Sequence, residues 1–207
     1  MNRIAVSLLL VLSVASGATA QYAAQLSAAG TVLKGSATGG GYVGIYEGAF
    51  GILGQYRYGI GGYTDIGGKL GIIDLDSGSK EGDLGFFIGV DTKYQVMEVR
   101  IMDPIDLSLG GAFELALFDH FNSLIIGGFA VGSYPVTLKN GRVLSPYGRL
   151  IMGFNRTDSN WARSDTDFDL GFNMGVTMEL SSSTRALAEI QIDDDTAAFL
   201  MGLEFRL

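Results

Sequence analysis

From residue 167 to residue 180 the chain alternates without exception. Phe168, Leu170, Phe172, Met174, Val176, Met178 and Leu180 take every second place, with Asp167, Asp169, Gly171, Asn173, Gly175, Thr177 and Glu179 between them. A helix would scatter these residues around its circumference, whereas a strand sends all the apolar ones to one face and all the polar ones to the other. The run is long for a soluble strand and suits a tilted membrane-crossing strand of ~9–11 residues with extensions. The same period recurs at 83–95, where Leu84, Phe86, Ile88, Val90 and Tyr94 alternate with Asp83, Gly85, Gly89, Asp91, Lys93 and Gln95; Phe87 is the one large residue on the polar side. It recurs again at 105–115, 52–60, 65–72 and 186–192. Residues 124–134 are apolar on both faces, and 143–154 mix Tyr147 and Ile151 with Arg149, yet both also read as strands. With 41–47 first and 197–207 last, the pattern predicts an all-β, antiparallel up-and-down transmembrane β-barrel of about ten strands, eight being the next lower even count.

The connections sort by length. Gly61-Gly62, Lys139-Asn140-Gly141 and residues 181–184 form brief turns, and Asn-Gly favours a tight hairpin. The interleaved set, 75–82, 117–122, 155–166 and Asp193-Asp194-Asp195, is more acidic and often longer. Short turns at one end and longer loops at the other predict a barrel with its turns in the periplasm, although the connection at 95–104 is longer than that rule suggests.

Composition fits this reading. The chain has 31 glycines, 3 prolines and no cysteine, with a formal charge of −8 and a positive mean hydropathy. Without cysteine it has neither disulfides nor a lipidated cysteine anchor. No run of eighteen apolar residues follows the first twenty, so strands must carry the hydropathy. Residues 1–20 predict a cleaved export signal, with Arg3 in the basic region, 4–14 apolar, and Ala18-Thr19-Ala20 before a mature start at Gln21. Residues 21–40 read as a lead-in to a barrel over 41–207, being a flexible segment, an extra strand near 31–34, or a short plug. The acidic balance and the lack of Lys/Arg clusters exclude nucleic acid as a partner. A soluble exported β-sandwich or lipocalin-like binding barrel also alternates with period two. Its polar face would be rich in Lys, Glu and Thr, whereas here Gly, Ala, Ser and single charges predominate, as suits a confined interior.

At the last strand Phe199, Met201, Leu203, Phe205 and Leu207 alternate with Ala198, Leu200, Gly202, Glu204 and Arg206. This resembles the C-terminal assembly signal of bacterial outer-membrane β-barrel proteins, with Leu207 where a terminal aromatic is usual. The resemblance implies a porin-like barrel in a Gram-negative outer membrane, surrounded by outer-membrane lipids and lipopolysaccharide and inserted by the barrel-assembly machinery.

The alternation predicts an inward charge network of Arg57, Lys69, Asp91, Lys93, Asp106, Glu114, Arg149, Asp169, Glu179, Glu189, Glu204 and Arg206. A small barrel has room inside for little beyond side chains, and an unpaired charge there is costly, so the expectation is a lumen filled by ion pairs. That predicts a structural or surface-interaction role, with a narrow or gated transport channel as the alternative.

Candidate chemistry is sparse. His120 is the only histidine, and its neighbour Asp119 would point the opposite way on an extended strand, so no catalytic dyad is predicted and no enzyme activity is expected. Asp74, Asp76, Asp165, Asp167 and 193–195 lack calcium-loop spacing and read as a solvated acidic rim, so neither metal nor cofactor is assigned. Trp161 lies in the longest loop. Gly59-Ile60-Gly61-Gly62 and Gly68-Lys69 lack the residues that complete nucleotide fingerprints, and glycine here is expected to relieve crowding inside the barrel. Tyr46, Tyr56, Tyr58, Tyr63, Tyr94 and Tyr134 are expected in interfacial girdles.

Overall fold

The structure, a computed structural model, describes residues 26–75, 83–119, 121–159, 165–192 and 197–207. The export signal, Asp76, His120, Trp161 and Asp193-Asp194-Asp195 lie outside the described residues. The strands are β1 (Ala37–Tyr46), β2 (Ala49–Gly59), β3 (Thr64–Leu75), β4 (Asp83–Met97), β5 (Asp106–Leu117), β6 (Phe121–Ser133), β7 (Val136–Thr137), β8 (Val143–Ser159), β9 (Asp165–Glu179), β10 (Thr184–Ile192) and β11 (Ala197–Arg206). They form one antiparallel sheet of eleven strands in which all but the two-residue β7 make a closed wall, a barrel of ten. The wall closes where β1 pairs with β11, and β6 pairs with β8 along its whole length.

Period two converts directly into position. On β2, Leu53, Gln55 and Arg57 point inward and are buried, while Ile52, Tyr56 and Tyr58 point outward and are exposed. On β9, Asn173 and Thr177 are buried, and Phe168, Leu170, Phe172 and Met174 are exposed. Ile52, Leu70, Ile88, Val90, Phe113, Leu150, Met152 and Met201 continue this apolar outer surface around the wall. Each Å² of such surface costs about 25 cal/mol in water, which hydrocarbon removes. A β-sandwich would need two packed sheets, and a soluble lipocalin-like barrel would be polar outside and apolar inside. This wall is a single sheet with charges inside and apolar residues outside, so the soluble alternatives do not describe it.

One end of the barrel, the turn end, carries the β2–β3, β4–β5, β6–β8 and β9–β10 connections. The loop end carries the others, of which Glu47-Gly48 is brief, with Gly48 at a φ of 71° that a side chain would resist. The long β4–β5 connection contains a short 3-10 helix, Val99–Ile101. The turn at Asn140-Gly141 belongs to a small β7–β8 hairpin, Gly141 having a φ of 80°. β1 starts at Ala37, four residues before the expected Gly41.

Aromatic placement corrects one expectation. Tyr56, Tyr58, Tyr63, Tyr94 and Tyr134 are exposed on the outside, but Tyr46 shares its face with Tyr42 and packs inward against the lumen's apolar cluster. That cluster explains why β6 is apolar on both faces: Ile125, Phe129 and Val131 are buried inside, and Leu124, Ile126 and Ala130 are on the other face. Phe87, the large residue on the polar side of β4, is 1 % exposed in the same interior.

Candidate functional site: the occupied lumen

Large inward side chains fit because glycines face them. A Cβ at Gly71 would collide with the Phe87 ring, one at Gly110 with the Phe129 ring, and one at Gly202 with the Tyr42 ring. A Cβ at Gly67 would strike both the Arg57 guanidinium and the Asp91 carboxylate. Glycine thus makes room for the interior, as its abundance suggested.

The buried charges are paired. Arg57 Nη1 donates to Asp91 Oδ1 at 2.8 Å and its Nη2 donates to Asp65 Oδ1. Lys69 pairs with Glu114 at 2.5 Å. Arg149 meets Glu189 at 3.2 Å, and that carboxylate also accepts from Tyr147 Oη, from Asn173 Nδ2 at 3.2 Å and from Gln191 Nε2 at 2.7 Å. Arg185 pairs with Glu204 at 3.1 Å. Burying such groups is costly unless they are paired, and each of these meets a partner of opposite charge.

The predicted network divides by height. Arg57, Lys69, Asp91, Lys93, Glu114, Arg149, Glu189 and Glu204 are buried inside the barrel. Asp106 lies at the turn end, where it accepts from the Val99 amide at 2.8 Å. Glu179 and Arg206 pair with each other at 2.9 Å on the rim, both side chains a third or more exposed. Asp169 is half-buried towards the loop end of β9. These four have the inward parity of the network but lie too near the strand ends to join its centre. Asp65, fully buried at the start of β3, and Arg185 belong to the lumen and were not among the twelve.

The segment before β1 completes the site. Residues 26–36 run from the turn end into the lumen, and Leu26, Ser27, Ala28 and Ala29 are buried there. Among the described residues, the segment's main chain meets the sheet at Gly59, through an isolated bridge with Lys34 and hydrogen bonds with Gly35 and Ser36. Its main chain must still be satisfied away from water, and side chains of the wall do this. The Leu26 amide donates to Gln55 Oε1 at 3.0 Å, and its carbonyl accepts from Gln55 Nε2 at 3.0 Å. Arg149 Nη2 donates to the Ser27 carbonyl at 2.8 Å. Ala29 donates to Ser133 Oγ at 3.2 Å and accepts from Ser108 Oγ at 2.6 Å. The Thr31 amide donates to Gln95 Oε1 at 3.2 Å, and the Val32 amide donates to Asp65 Oδ2 at 2.8 Å.

Lys93 is central to this seat. Its ammonium donates to the carbonyls of Ala28 and Gly30, each at 2.8 Å, and to Ser27 Oγ at 3.1 Å, which accounts for all three of its N–H groups. The carboxylate of Asp65 is 3.9 Å away. Of residues 21–40, those from Leu26 to Ala29 are buried in the lumen, Leu33 to Ser36 are exposed at the turn end, and 37–40 belong to β1. A cavity of 420 Å³ remains at the turn end, bounded by Val32 and Leu33 of the plug, Arg57, Arg185, Glu204 and Arg206.

No protein-family model matches the chain, and no curated protein matches it. Solved structures do. The β domain of the Bordetella autotransporter BrkA is similar with a TM-score of 0.51 and 12 % identity, over 84 % of this chain and 100 % of that one. The outer-membrane protease OmpT from Escherichia coli gives 0.45 and 8 % identity, over 84 % and 94 %. A KdgM porin gives 0.42 and 9 % identity, over 81 % and 98 %. At these identities the likeness concerns the fold alone. That fold is the bacterial outer-membrane β-barrel.

Proposed function

We propose that the protein is a non-conducting barrel of the outer membrane, with a structural or surface-interaction role served by its loop end. The observation that carries this reading is the lumen's occupancy: every residue from 26 to 32 is hydrogen-bonded through its main chain to a wall side chain, beside buried ion pairs. Open water channels belong to barrels of ~16–18 strands, and this ten-stranded interior is occupied by wall side chains and residues 26–32. Outer-membrane lipids and lipopolysaccharide surround the apolar wall. Phe199, Met201, Leu203, Phe205 and Leu207, all exposed on one face, form the signal for the barrel-assembly machinery. The reading assigns no catalytic step, cofactor or metal.

Reconstitution in planar bilayers tests it. The intact protein is expected to give no stable conductance steps, and steady steps from it would contradict the closed lumen. A second reading, a narrow gated conduit, draws on the plug's attachment by side chains instead of sheet pairing. It predicts a silent intact protein that passes ions when the plug is displaced under physiological conditions.

A further inference from the structure

The plug is held almost wholly through its backbone, and this has a consequence beyond closure. Leu26, Ala28 and Ala29 supply shape, since Leu26 is 1 % exposed and Ala29 is fully buried, while the polar recognition falls mostly on amides and carbonyls, with the Ser27 and Thr31 hydroxyls adding one contact each. The recognising side chains come from separate strands: Gln55, Asp65, Lys93 and Gln95, Ser108, Ser133 and Arg149. Lys93 in particular is placed for carbonyls. A buried ammonium is costly unless oxygen acceptors replace its water; beside the Asp65 carboxylate at 3.9 Å, the plug supplies three of them. Arg149 divides its guanidinium between Glu189 and a plug carbonyl. Lys93, 3.9 Å from the Asp65 carboxylate of the wall, also donates to two plug carbonyls, and Ser108 and Ser133 hydrogen-bond to the plug main chain at Ala29.

From this we propose that the lumen is a peptide-binding site, occupied in this structure by the protein's own residues 26–32. It takes in trans a segment carrying one large apolar residue followed, two and three positions on, by small ones. Residues 26–32 are the internal copy of that ligand. The segment fits because its amides and carbonyls, turned by bends at Ser27 and Ala29, each meet a side chain of β2–β6 or β8. The small residues are required because the seat leaves no space at Ala29. This inference rests on the plugged-lumen reading.

The experiment uses the full chain with a protease recognition site inserted between Lys34 and Gly35, both exposed at the turn end. The protein is folded into detergent, cut, and mixed with a fluorescent synthetic peptide of residues 26–33. The expected result is a saturable rise in anisotropy, with the cut segment released and detected by mass spectrometry. Methylating the peptide nitrogen of Ala29 keeps every side chain but removes the donor to Ser133, and should weaken binding about tenfold, the factor for about 1.4 kcal/mol. Replacing Ala29 of the peptide by Phe should abolish binding. Equal affinity for the methylated peptide, or a cut barrel that neither releases its segment nor takes up peptide, overturns the proposal. Bilayer recordings separate the two readings. A cut protein that opens without binding peptide leaves the closed-lumen reading intact and defeats this one, whereas an intact protein that conducts defeats the closed lumen.

Discussion

Arg149 and Arg206 are both arginines paired with a glutamate, at 3.2 Å and 2.9 Å, and the shorter pair is the less consequential. Arg149 and Glu189 are fully buried inside the barrel, whereas Arg206 is 55 % and Glu179 35 % exposed at the turn-end rim. Water already solvates the rim pair, so its mutual attraction adds ~0–1 kcal/mol. In the lumen neither partner can return to water alone, and the energy at stake is that of stranding a charge. Burial, more than distance, decides what an ion pair does in this molecule.

The largest effect should follow Arg149→Ala. It strands Glu189, removes the donor to the Ser27 carbonyl, and should cost about 3–5 kcal/mol. Urea unfolding of the folded protein in detergent measures this, and a midpoint within error of the original would equate the interior with the rim. Next comes Lys69→Glu, which places a second carboxylate beside Glu114; adding Glu114→Lys should restore most of the lost stability. A double variant no better than the single one would show that the Lys69–Glu114 pair does not act as a unit.

Gly71→Leu should cost about 1–3 kcal/mol because its side chain enters the space of the Phe87 ring, and Phe87→Ala in the same chain should recover part of it. Additive losses would place the strain in the backbone instead. At the small end, Arg206→Ala should change stability by less than about 1 kcal/mol, an effect that fades further at 1 M salt. A larger, salt-independent loss would mean that the rim is structurally part of the interior.

The same contrast marks what the amino-acid pattern could foretell. Alternation identifies a face, and Arg57, Lys93, Arg149 and Glu189 are buried on the face it assigns them. It carries no information about height along the barrel, which is why Asp106, Glu179 and Arg206 share their parity and yet sit at the ends. Asp65 shares the parity of Lys69 on β3, and its carboxylate meets the Arg57 guanidinium. Tyr46 looked like a girdle residue because it ends β1; its parity with Tyr42 sends it inward.

The plug was legible only as one of three choices. Leu26-Ser27-Ala28-Ala29-Gly30 carries no periodic or charged signature, since the wall recognises its main chain, and every sequence has one. Of the wall's half of that contact, Gln95 falls on the polar side of the 83–95 alternation, but nothing in the pattern shows what it binds.

The most direct test of the account is heat-modifiability of the protein extracted from outer-membrane fractions, comparing its migration in SDS before and after boiling. A closed ten-stranded barrel with an apolar outer wall should require detergent and migrate differently when unboiled, because the interior pairs keep it folded. A protein that is soluble without detergent and migrates identically before and after boiling would contradict the membrane barrel.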